Sequence, residues 1–384
     1  MRKYPASLLL PALFCLAGCG DGGAKPTPTP TPTSMPTSMP TSMPTSMPTA
    51  CASDAIGGLD VAASDFYGGM PYALGYLPYA IDGCRLVYLA PGFGGVGGGA
   101  LRLRDLATGK EQTIAEASEA PRRPSIAGDL ITWEATVGGA TGVRVKSLPG
   151  AAVTIQGAFD HAGEPRAAAD AIVFTAWLGP DDTSDTDIYL YRPASQELAA
   201  VSTTPKQQRF PDISSTHLAW TDFGDDADGF YMDQHSVSAE ADVVLFDRAT
   251  STATKRLIAG KQAFPILGAK GKVAYLDWAG VQPEPKLSGY VLRIGDLEAP
   301  VANDATVAKI STPVRYVRPV ARGELLEWVE GSSLLRQRAD LATSAEALPG
   351  LDGMDLVGPT ASDALTLIGV RKDGAPVQLR AFAR

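Results

Sequence analysis

The sequence predicts an all-β protein, a β-propeller of seven four-stranded antiparallel blades. Three observations carry this. A unit recurs seven times at intervals of 40 to 54 residues, a period typical of propellers and solenoids. Each unit opens on a proline and carries, nine or ten residues later, a large apolar side chain. Helical periodicity is nearly absent, whereas short alternating runs bounded by Gly and Pro recur throughout, the pattern of half-buried strands.

The first eighteen residues stand outside that fold. Arg2 and Lys3 precede an apolar run from Ala6 to Leu16. The run is too short to span a bilayer as a mature helix and reads as a secretory signal. It ends in Leu16-Ala17-Gly18-Cys19, which resembles the lipobox of bacterial lipoproteins. The resemblance implies cleavage before Cys19 and lipidation of its thiol. Several acyl chains on one residue anchor firmly, at about 0.8 kcal/mol per buried methylene. Gly20 follows where aspartate would signal inner-membrane retention, which by analogy with enterobacterial sorting implies the outer membrane. The competing reading is an ordinary signal peptide with an incidental cysteine.

Residues 19–50 form a tether. Pro and Thr alternate over residues 26–33, and Thr-Ser-Met-Pro then occurs four times from Thr33 to Pro48. This proline density excludes helix and sheet and favours polyproline II, so some two dozen residues reach roughly 70 Å.

Residues 51–384 form the folded domain. The 33 basic residues less Arg2, Lys3 and Lys25, against the 42 acidic residues less Asp21, leave it at a formal charge of −11. That excludes nucleic acid or an anionic lipid surface as its main partner and leaves the membrane reachable through the lipid anchor alone. Of the four cysteines, Cys15 leaves with the signal and Cys19 carries lipid. Cys51 and Cys84 remain in a compartment that permits disulfides and are expected to pair, pinning the end of the tether to the first repeat.

The units begin at Pro78, Pro124, Pro165, Pro211, Pro265, Pro319 and Pro359. Their large apolar residues are Tyr88, Trp133, Phe174, Trp220, Tyr275, Trp328 and Ile368. An aliphatic residue stands two positions earlier in the first six, and i, i+2 spacing puts both side chains on one face of a strand. These residues are expected to pack one blade against the next. A third strand follows in each unit, as in DIYLYRP at 187 or DVVLFDR at 242, and a small turn leads to a fourth. The last unit stops after its third strand. The stretch Gly58 to Ser64 has no other partner and is expected to supply the missing outer strand, closing the ring. Six blades is the alternative, since the last unit has Thr366 at the aliphatic position.

The units FPDISSTHLAWTDF…ADVVLFDRATSTATKRL and GEPRAAADAIVFTAW…TDIYLYRPASQELAAVS resemble TolB-like, or WD40-like, propeller repeats of bacterial envelope proteins. Asp187-Ile188-Tyr189 matches the family's Asp-Ile-Tyr element. The family's Ser-Pro-Asp-Gly turn is replaced by Ile126-Ala127-Gly128-Asp129 and Ile213-Ser214-Ser215-Thr216. The chain has no counterpart of TolB's separate N-terminal domain, which argues against a role in the Tol system itself. The resemblance implies a propeller in the bacterial cell envelope.

In a four-stranded blade the second-to-third strand loops and the fourth-to-first connections share one face. The long second-to-third loops span residues 90–99, 178–186, 223–240 and 279–288, so that face is the candidate functional surface. Two neighbouring loops are acidic, with Asp181, Asp182 and Asp185 on one and Asp222, Asp225, Asp226, Asp228 and Asp233 on the other; Trp177 and Tyr231 flank them. Clustered carboxylates suit a hard cation such as calcium, with Asp225, Asp226 and Asp228 as ligands. The competing reading is solvated loops whose aspartates cap turns, with no cofactor at all. Arg122, Arg123, His161, Glu164, Lys206 and Arg209, on the fourth-to-first connections, are expected to face the acidic loops as recognition groups.

Signals for catalysis are sparse. The chain has three histidines, and neither a nucleophile elbow nor a His-rich metal motif is present. The leading expectation is a non-enzymatic, lipid-anchored module that binds protein or glycan. The alternative is a glycan-active hydrolase or lyase using loop carboxylates.

Overall fold

The computed structural model describes residues 51, 56, 59–62, 77–92, 98–179, 185–225, 241–258, 260–277, 290–310, 318–371 and 377–384. All of these lie in the compact unit Pro48–Arg384, and the separate unit Met1–Met47 falls outside them. Among the described residues no helix is long and apolar enough to cross a membrane.

The domain is a seven-bladed propeller, each blade a four-stranded antiparallel sheet. The inner strands of blades 1 to 7 are Tyr79–Asp82, Arg122–Ala127, His161–Ala167, Gln208–Ile213, Gln262–Ile266, Val320–Arg322 and Asp355–Ala361. The seventh unit, weakest in sequence, is a full blade. Its outer strand is Asp60–Val61, with Asp60 opposite Gln378 and Val61 opposite Val377. Ring closure therefore joins the two ends of the domain, as the unpartnered stretch predicts. Beside this strand a Cys51–Cys84 disulfide fastens the segment to the first turn of blade 1.

The cores lie between blades. Leu218 and Trp220 pack with Ile188 and Leu190 of blade 3, while Ala219, between them, packs with Val273 and Tyr275 of blade 5. The second strand is thus buried on both faces, and every residue of His217–Asp222 is buried. Trp133, Phe174, Tyr275 and Trp328 occupy equivalent places and are at most 1% exposed. Burying each large apolar side chain contributes about 1.5–3 kcal/mol.

The prolines that mark each unit have a structural reason. In blades 2 to 5 the inner-strand register shifts across the X-Pro pair. The residue before each proline (Arg123, Glu164, Phe210 and Phe264) adopts a left-handed φ between 50 and 60°. Proline has no N–H to donate, so it fits where a ladder is broken. The bulge turns the preceding N–H toward the previous blade. Glu164 N donates to Glu134 Oε1 at 2.7 Å, Phe210 N to Glu164 Oε2 at 2.7 Å and Phe264 N to Thr221 Oγ1 at 3.1 Å. A left-handed non-glycine residue costs about 1–3 kcal/mol, so these bulges persist because the neighbouring blade holds them.

Candidate functional site

The inner strands of all seven blades line a central cavity of about 170 Å³. On the face carrying the long loops, blades 2 to 4 carry a rim of paired charges. Glu134 follows Trp133 on the second strand of blade 2 and is 1% exposed. It accepts from Arg123 Nη1 at 2.7 Å and lies 3.9 Å from Arg122 Nε. Glu164, 2% exposed, accepts from Arg209 Nε at 3.0 Å, Arg209 Nη2 at 2.6 Å and Thr175 Oγ1 at 3.1 Å. Arg122, Arg123 and Arg209 thus meet Glu134 and Glu164. Glu164 is corrected from a surface recognition group to a buried inter-blade link. The reason is the bulge, which brings the inner strand of one blade against the second strand of the one before.

Outward from this rim, the edge of blade 3 carries an aromatic pair. His161 and Trp177 are cross-strand partners, and their rings stack at 5.5 Å between centroids and 10° between planes. His161 Nδ1 accepts from Thr141 N at 3.3 Å, and Asp160 Oδ2 accepts from Gly179 N at 3.0 Å. These bonds tie the chain on either side of the stack. Asp187, opposite Ala176 on the same blade, is half-buried. Burial, and secondly the charge of Asp185, pushes its carboxyl up to about 6. Burial also raises Asp185.

A raised carboxyl pKa makes the native state bind more protons than the unfolded state between pH 4 and 6. Asp187 therefore withdraws stability as pH rises through that window. In Asp187→Asn the melting temperature is expected to match wild type near pH 4 and exceed it at pH 7.5. Paired thermal melts across this range check the prediction; equal melts at both pH values contradict it.

At the top of blade 4, Asp222 and Asp242 face each other across neighbouring strands. Asp222 Oδ1 accepts from Gly224 N at 2.7 Å. Lys255 Nζ stands 2.9 Å from Asp225, 3.4 Å from Asp222 and 3.8 Å from Asp242. Its ammonium holds Asp225 below the ordinary carboxylate range. Burial, with added contributions from Asp225 and Asp222, pushes Asp242 up to about 6 against the pull of Lys255. Phe223 is fully buried, with Lys261 Nζ 5.7 Å from its ring centroid.

Of the residues singled out by sequence, Trp177 and Asp185 stand on blade 3, and Asp222 and Asp225 on blade 4. Asp181, Asp182, Asp226, Asp228, Asp233 and Tyr231 lie outside the described residues, and with them two of the three calcium ligands expected. Among the described residues no group of three or more His, Cys, Asp or Glu side chains is placed to hold a metal ion as it stands. Asp242 and Lys255 escaped sequence analysis because they sit in strands read as packing elements. Pairing DVVLFD against HLAWTD in register would have set Asp242 beside Asp222.

No protein-family model matches the chain, and no curated protein does. Among solved structures it is similar to the β-propeller domain of the Trilobed protease from Pyrococcus furiosus. That match has 10% identity over 80% of this chain and 92% of that one, with a TM-score of 0.57. It is also similar to oligogalacturonate lyase from Vibrio parahaemolyticus, at 12% identity over 80% and 89% of the chains and a TM-score of 0.54. A match to TolB from Acinetobacter baumannii, at 14% identity and a TM-score of 0.43, covers 63% of this chain and 57% of that one. At such identities the likeness is one of fold. The propeller that the repeats imply is shared with the two matches above a TM-score of 0.5.

Proposed function

We propose that the chain is a non-enzymatic binding module of the bacterial cell envelope, held by lipid on Cys19 and displayed by its proline-rich tether. Its long-loop face would take up a protein or glycan partner. The observation that carries this is the Trp177–His161 stack, on the same blade as the acidic Asp185 and Asp187 and on a rim fixed by buried ion pairs. A flat aromatic pair offers area at low entropic cost, and neighbouring carboxylates give direction to hydroxyl or basic groups. The buried salt bridges act as scaffold, so the binding surface is pre-organised.

Photo-crosslinking in intact cells tests this reading. A photoreactive residue at Leu178, 65% exposed on this face, is expected to give discrete adducts. The same residue at Asp129, on the opposite face, is expected to give none. Equal labelling from both faces, or no adduct from Leu178, argues against the module. Cys19→Ala is expected to move the chain from the membrane to the soluble fraction, which tests the anchor separately.

One observation favours a second reading, glycan cleavage. Asp187, with a pKa near 6 beside Asp185, resembles an acid paired with a base. Turnover of an acidic oligosaccharide that disappears in Asp187→Asn, with binding retained, would replace the first reading by this one.

A further inference from the structure

Ring closure dictates the end of the propeller at which the chain enters. In each antiparallel blade the second and fourth strands run the same way, from the turns that follow the inner strands up to the long-loop face. Asp60–Val61 is the fourth strand of blade 7. It is set against Gln378 and Val377, which lie at the long-loop end of the third strand, whereas Ala383 at the other end of that strand stands opposite Leu365. A fourth strand is always entered from the turn face, so the chain reaches Asp60 from there.

The Cys51–Cys84 disulfide fixes the entry point at that same face. Cys84 sits in the turn between the paired residues Asp82 and Arg85, which close the first hairpin of blade 1. From this turn the second strand Arg85–Pro91 climbs to the long-loop face, and a strand of that length spans about 20 Å. The point of attachment and the Trp177–His161 stack therefore stand at opposite ends of the propeller.

The two faces also differ in charge. On the turn face, charges stand in opposite-sign pairs. Arg85 meets Asp129, Arg248 meets Asp170 and Lys272 meets Asp296, each at 2.6 Å, and Arg322 meets Asp363 at 3.0 Å. The long-loop face carries Asp185, Asp187, Asp222, Asp225 and Asp242, with Lys255 set among the last three. An anionic lipid surface repels the second face more than the first.

We propose that the closing strand and the Cys51–Cys84 disulfide set the polarity of the propeller on its membrane, with the turn face toward the anchoring bilayer and the long-loop face turned away. This rests on the lipid-anchored reading above. The tether sets the stand-off, roughly 70 Å when fully extended, and the attachment point sets which end is nearer. The bilayer excludes the domain from one side, so the free end sweeps the space on the other. A partner of the long-loop face then approaches from beyond the propeller, and the headgroups of the anchoring bilayer are not what that face binds.

The test uses the full-length chain as extracted from membranes, added to vesicles of phosphatidylcholine and phosphatidylglycerol with an acceptor dye on the headgroups. A donor dye is attached through a click-reactive residue at Leu178 on the long-loop face or at Asp129 on the turn face, both exposed. Energy transfer from Asp129 is expected to exceed that from Leu178 about twofold, given a strand length of about 20 Å between them. In Cys51→Ser with Cys84→Ser the attachment moves toward the closing strand, which is paired at the long-loop end, and the ratio is expected to fall toward one. A ratio that keeps its wild-type value in this variant overturns the part given to the disulfide. Equal transfer from the two positions in wild type, or more from Leu178, overturns the polarity and leaves the anchor standing. Absence of transfer from both, the result expected of Cys19→Ala, overturns the anchor and the polarity with it.

Discussion

Glu164→Ala is expected to cost the fold about 3–5 kcal/mol, the range for stripping one partner from a buried ion pair. The carboxylate gathers two bonds from the Arg209 guanidinium, the N–H of Phe210 and the hydroxyl of Thr175. Its removal takes from Arg209, itself 7% exposed, the carboxylate that it binds through both Nε and Nη2. It also removes the acceptor that holds the left-handed Phe210, so backbone strain adds to the electrostatic loss. Glu164→Gln keeps an acceptor and loses the charge, and should fall between the two. The control is Asp129→Ala, which breaks the exposed Arg85–Asp129 pair and should leave the denaturation midpoint nearly unchanged. Urea denaturation of the three variants checks the order. If Glu164→Ala unfolds at the wild-type midpoint, the rim is not held by this link.

Removing the disulfide is the second large effect. Cys51 and Cys84 are 33 residues apart in sequence, and freeing a loop of that length costs about 3–4 kcal/mol through the entropy of the unfolded chain. The seam it guards has little else of its kind, since the closing strand Asp60–Val61 has two residues. Its support comes from Ile56 and Val61, fully buried among Tyr79, Leu86 and Leu379, and from Tyr79 Oη, which donates to the carbonyls of blade 7 and accepts from Gly369 N at 2.7 Å. Cys51→Ser with Cys84→Ser is therefore expected to lower the melting temperature by on the order of 5–10 °C. Amide exchange should quicken first at Val377–Leu379, where the closing strand is paired. A double mutant that melts with the oxidised wild type would show that apolar burial alone closes the ring.

Much of the fold was legible because a propeller repeats its physics. Each aliphatic-x-aromatic pair faces a seam, and seven similar seams give seven similar signals. Even the closing strand could be read, because a blade with three strands leaves an edge that must be covered. The prolines were legible as markers without their meaning. That they break the inner ladder and turn an N–H toward the previous blade emerges only when two blades stand side by side. The site was less legible. Asp222 and Asp225 drew attention as part of an acidic run, and Trp177 as an aromatic beside one. Asp242 and Lys255 lie 20 and 33 residues from Asp222 and look like ordinary strand residues.

By itself, then, the sequence determined the class, the repeating unit and the strand that closes the ring. Those follow from local periodicity and composition, which depend on neighbours within a few residues. The tertiary structure decided which charges meet. Arg209 meets Glu164 across 45 residues, and Lys255 meets Asp225 across 30. Such pairings depend on strand register and on the order of blades around the ring. No window along the chain contains both partners, so the electrostatics of the rim had to await the fold.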